Sequence, residues 1–72
     1  MAHITPRTRL LHLRILALRN ASIGYAPHRE KIEDMAQRPT KLAMREAEVN
    51  ALAWRYRRQI SPELVPAPAV TP

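Results

Sequence analysis

The chain has no cysteine and no phenylalanine, a single glycine and a single tryptophan. Without cysteine there is no disulfide to staple a short fold, no thiol nucleophile and no thiolate for a zinc site. One glycine excludes a glycine-rich phosphate loop. The histidines, His3, His12 and His28, stand apart in sequence and have no cysteine to join them, so neither a zinc box nor a catalytic triad is suggested. Serine is confined to Ser22 and Ser61 and aspartate to Asp34, while Glu46 and Glu48 point to different sides of a helix. No enzymatic constellation, metal site or cofactor site follows, and the expectation is a non-enzymatic protein. Long apolar runs are missing too. The longest, Leu10 to Leu18, is broken by His12 and Arg14, which argues against a membrane span and makes a poor signal-peptide core.

Acids are also scarce: six against twelve basic residues, for a formal charge of +6. The imbalance is local. Residues 1–29 hold five arginines and no acid, residues 30–50 are about neutral, and residues 51–60 add three arginines. Arginine outnumbers lysine ten to two. Planar guanidinium suits phosphate, carboxylate and aromatic faces, so the bias favours a contact surface; a GC-rich genome produces the same enrichment. The acid-free opening has the composition of an organelle transit peptide, but its removal would discard a large part of the apolar core. Lack of cysteine fits a cytoplasmic chain better than a small secreted one.

At 72 residues there is room for one domain, and burial and conformational entropy nearly cancel in so short a chain, so a partner-stabilised fold is a real option. The longest periodic stretch is Pro39 to Ile60, in which Leu42, Val49, Leu52, Ala53, Tyr56 and Ile60 fall on one side of a helix. Thr5 and Pro6 read as an N-cap and first helical position, opening a helix that runs to about Ser22. Within it Arg14 lies inside the apolar surface and must snorkel or meet an acid. Gly24 follows the last periodic residue, where a left-handed stop is expected. A short second helix runs from His28 to about Gln37, with Glu30, Glu33 and Asp34 toward its positive end and Ile32, Met35 and Ala36 buried. Pro39 separates it from helix three. The predicted fold is all-α: a three-helix domain over residues 5–60, long helix three packed on helix one and short helix two between. A flexible Pro-rich tail occupies 61–72, with Leu64 and Val65 as candidates to fold back.

Two stretches resemble known families. Leu42, Arg45-Glu46, Glu48-Val49 and Leu52-Ala53 are similar to the helix that precedes the helix-turn-helix in regulators with a LuxR-type DNA-binding domain. Here Pro62, Pro66 and Pro68 occupy the place of the reading helices. Leu52-Ala53-Trp54-Arg55-Tyr56-Arg57-Arg58-Gln59-Ile60, with the proline-punctuated segment after it, resembles the ending of small bacteriophage and prophage proteins. That resemblance implies a short phage product acting in the host cytoplasm by contact with a host machine, a class that includes phage regulators of host RNA polymerase.

The candidate contact residues are Trp54, Arg55, Arg57 and Arg58 at the end of helix three, with Arg7, Arg9 and Arg14 on helix one. If the helix continued to Ile60, Trp54 would sit roughly 160° from Tyr56, and the three arginines at different azimuths. The expected function is regulation of transcription by binding a host nucleic-acid machine, RNA polymerase first. The alternative is direct binding of DNA or RNA by a helix-turn-helix-like pair, helix two and helix three, whose first reading residues would be Thr40, Lys41 and Arg45.

Overall fold

The computed structural model describes residues 4–67. Its first helix, α1, spans Pro6–Ala21 and starts as the sequence requires. Thr5 is extended, its hydroxyl accepts the Thr8 N–H at 3.1 Å, and Pro6 fills the first turn, where a missing N–H costs nothing. Leu11, Ile15 and Leu18 form its buried stripe, with Arg14 among them. The outward Leu10, Leu13 and Leu16 remain partly in water, so the apolar surface of α1 is only half covered.

The helix ends without the left-handed glycine expected at Gly24, since no residue described has a positive φ. Ser22 takes over the task. Its N–H and its hydroxyl both donate to the Leu18 carbonyl, at 2.9 and 2.7 Å, and the Tyr25 N–H then closes the turn on the Ser22 carbonyl at 3.0 Å. Helix α2 follows at once, Ala26–Ala36, two residues earlier than expected because Pro27 belongs to its first turn. That start leaves no acid in the first turn. Glu33 and Asp34 therefore do not answer the dipole; they reach arginines on other elements.

The long third helix of the sequence reading is two pieces. Pro39–Arg45 winds as a 3₁₀ segment, and the α-helix proper, α3, is Glu46–Arg55. The break lies at Arg45, whose guanidinium bridges Asp34 of α2 at 3.2 Å and Glu48 of α3 at 2.9 Å. The helix stops five residues short of Ile60. Tyr56 leaves helical geometry, and the Tyr56, Arg57 and Gln59 N–H groups close successive turns on the carbonyls of Leu52, Trp54 and Tyr56. Ile60 still reaches the core.

Every other element lies against α1. Between them the core is wholly aliphatic: Leu11, Ile15, Leu18, Ile32, Met35, Leu42, Val49, Leu52, Ala53 and Ile60. Each large member contributes about 1.5–3 kcal/mol by leaving water. Past Ile60 the chain makes a 3₁₀ turn at Pro62–Leu64, and Leu64 and Val65 pack on the core. The rest of the expected flexible tail, residues 68–72, lies outside the described residues.

Candidate interaction surface

The seven sequence-predicted contact residues separate into three environments. Arg14 is 8% exposed, and its position follows from the stripe it shares with Leu11, Ile15 and Leu18. Neither snorkelling nor a directly bonded acid resolves its burial. Nε donates to the Leu64 carbonyl at 2.7 Å and Nη1 to Asn50 Oδ1 at 2.8 Å. Desolvation lowers its pKa, and the charge of Glu46 opposes that shift. Arginine so far above neutrality stays protonated. Arg14 thus faces inward, away from the surface proposed for it from sequence, and ties the segment after Ile60 to α1 and α3.

Arg7 is exposed but engaged. It grips Glu46 in a bidentate pair, Nε to Oε2 at 2.8 Å and Nη2 to Oε1. The hydrogen bonds and charge of Glu46 raise the Arg7 pKa, and Arg7 holds the Glu46 carboxyl below its ordinary value. This contact fastens the start of α1 to the start of α3. Arg9 is exposed and pairs with no carboxylate among the described residues.

The third environment is the end of α3. Trp54 is 39% exposed, and the Arg57 guanidinium carbon lies 4.5 Å from the centroid of its ring. Arg57 Nη1 also donates to the Trp54 carbonyl at 3.0 Å, capping one of the last carbonyls of the helix. Because α3 ends at Arg55, the azimuths drawn for a continuous helix do not apply to Arg57 and Arg58. The turn folds Arg57 back over the indole. Arg55, Arg57 and Arg58 are all exposed, and none pairs with a carboxylate among the described residues. Tyr56 is half-buried, its hydroxyl 2.7 Å from His28 Nδ1. That contact ties the turn after α3 to α2.

Compared with known proteins, the chain matches no family model, no curated protein and no solved structure.

The remaining ion pairs engage other cations: Arg19 meets Glu33, Lys31 meets Glu48, and Arg38 and Arg45 share Asp34, while Arg29 and Lys41 pair with no carboxylate among the described residues. Burial works to raise the Glu48 carboxyl, but bonds from Arg45 and Lys31 outweigh it and hold the group below its ordinary value. Between α2 and α3 the 3₁₀ segment replaces the tight turn of a helix-turn-helix, and Arg45, a candidate reading residue, is bonded within the chain. Among the described residues no group of three or more His, Cys, Asp or Glu is arranged to hold a metal, and no helix is long and apolar enough to cross a membrane. Sequence reasoning missed the Arg45 bridge and the exposed Met44. The Arg45 contact with Asp34 joins two elements and leaves no periodic signal, whereas Met44, two residues from Leu42, lies on the side that helical spacing turns outward.

Proposed function

We propose that the protein is a small non-enzymatic regulator that docks on a host nucleic-acid machine, RNA polymerase being the first candidate, and modulates transcription by contact. One observation carries the reading: Trp54 stands partly in water beneath the Arg57 guanidinium, and Arg57 and its exposed neighbours in sequence, Arg55 and Arg58, pair with no carboxylate among the described residues. Tryptophan and arginine are the residues in which binding energy concentrates at protein interfaces. A guanidinium already stacked on its ring loses little further freedom when a carboxylate arrives. The partner surface that suits this patch is acidic with an apolar notch. The phage-like ending of the chain supports a host machine as the owner of that surface.

The test is retention of the full chain by purified bacterial RNA polymerase in size-exclusion chromatography, with nuclease-treated material. Co-elution that is lost in the Arg57→Glu, Arg58→Glu double variant supports the reading; no co-elution, or co-elution indifferent to both reversals, overturns it. A second reading keeps the arginines and exchanges the partner for DNA or RNA, favoured by the same unpaired charge. It requires binding to a free duplex with a log-log salt slope of about 0.9 per neutralised phosphate.

A further inference from the structure

A groove of about 280 Å³ opens where the end of α2 meets the 3₁₀ segment, lined by Met35, Arg38, Lys41, Leu42, Met44 and Arg45. Met35 and Leu42 belong to the core, so they supply its apolar base. Met44 belongs to the surface: at 82% exposed it is the most exposed of the large hydrophobic side chains described. The other three lining residues are cations, and no acid lines the groove. Arg38 and Arg45 share the carboxylate of Asp34, at 3.6 and 3.2 Å, and Arg45 also meets Glu48 at 2.9 Å, while Lys41 has no carboxylate partner among the described residues. The groove therefore joins an apolar base, a flexible thioether at its edge and a rim of net positive charge.

We propose that this groove binds an acidic peptide segment of a partner protein that carries one bulky apolar side chain. The apolar side chain enters against Met35, Leu42 and Met44, and flanking carboxylates meet Lys41 and Arg38. Size sets the first limit. Small-molecule and cofactor sites begin at about 300 Å³, so a groove just below that takes a side chain more readily than a whole cofactor. Methionine sets the second, because an unbranched thioether repacks around differing apolar shapes without loss of contact. Charge sets the third: carboxylates on the ligand complement the rim, and a basic segment is repelled. Nucleic acid fits poorly, since none of the lining residues is aromatic and a phosphate backbone leaves the apolar base unfilled.

This site is carried by different residues from the Trp54 surface. Residues 46–53 of α3 lie between Arg45 and Trp54, which puts the two about 13.5 Å apart along the helix at 1.5 Å per residue. The two are consequently separable by experiment.

The experiment is fluorescence anisotropy with a short labelled peptide of Asp and Glu around one central Phe, together with methyl NMR of Met35 and Met44 in the full chain. Saturable binding is expected, with shifts at both methionine methyls. Affinity should fall at least about tenfold in Lys41→Glu, in Met44→Glu and for a peptide with Ser in place of Phe. The Arg57→Glu, Arg58→Glu variant should bind as the parent does. Lys41 and Met44 are exposed, so circular dichroism of these variants should match the parent. Absence of saturation at about 1 mM peptide would overturn the proposal, as would equal binding of the Ser peptide. So would equal competition by a single-stranded oligonucleotide, or a loss of binding seen only in the Arg57 and Arg58 reversals.

Discussion

Arg14 donates from Nε to the carbonyl of Leu64, 2.7 Å away and 50 residues further along the chain. The same guanidinium reaches Asn50, so a single buried cation joins α1, α3 and the segment after Ile60. Replacing it with methionine keeps the stem and leaves two acceptors without their donor. Both acceptors are part-buried, and each one so orphaned costs up to about 1–3 kcal/mol, the figure for a fully buried group. Urea denaturation of Arg14→Met should show a loss of that order, and Arg14→Lys should not restore the parent midpoint, because one ammonium cannot reproduce the fork that reaches both acceptors. An unchanged midpoint in Arg14→Met would mean that the segment after Ile60 is held by Leu64 and Val65 alone.

Gly24 gives an opposite expectation. It does not adopt a positive φ, and a Cβ added there meets nothing within 4 Å. Gly24→Ala should therefore stabilise the protein by about 0.4–1 kcal/mol, by restricting the unfolded chain. A thermal melt decides it: a left-handed stop at this position would produce a lower melting temperature instead of a higher one.

Acid should weaken the fold through Glu46 and Glu48. Hydrogen bonds from Arg7 hold the Glu46 carboxyl below its ordinary value, and those from Arg45 and Lys31 do the same for Glu48 against the effect of burial. Folded pKa values below the unfolded value of 4.5 mean that the contribution is complete above about pH 4.5 and is lost as pH falls through the folded values. Denaturant midpoints measured from pH 6 to pH 2 should fall in that lower window. The drop should shrink in Arg7→Ala with Arg45→Ala, which remove the donors. An equal drop in that double variant would assign the acid sensitivity to other groups.

If the stacked pair at the end of α3 is the proposed docking surface, Trp54→Ala should cost at least about tenfold in retention by RNA polymerase with little change in the denaturation midpoint, because the indole stands outside the aliphatic cluster. Arg57→Ala removes the cation 4.5 Å from the ring centroid, so Trp54 fluorescence should change as well as affinity. Tryptophan emission and the denaturation midpoint are read on the same samples. A midpoint that falls with Trp54→Ala by as much as a core truncation would make the indole structural.

The three helices, the Thr5 cap and the buried positions Ile32, Met35, Val49 and Leu52 were determined by the sequence itself, because periodicity and caps are local; on α1 the sequence offered a broad apolar surface, from which packing buried Leu11, Ile15 and Leu18 and left Leu10, Leu13 and Leu16 partly in water. Tertiary structure decided what lies beyond that range. The expected Pro39 to Ile60 helix became a 3₁₀ segment and a shorter α-helix, with Arg45 at the junction bonded to Asp34 on another element. Whether Arg14 faced a partner or the interior depended on Asn50 and on a carbonyl 50 residues away. Arg7 and Arg57 look alike in composition, yet one is paired because the fold brings Glu46 to it and the other lies over an indole because the helix ends two residues before it. A charge is available for binding only when the folded chain brings no opposite charge to meet it, and that depends on distances in space that local patterning does not contain.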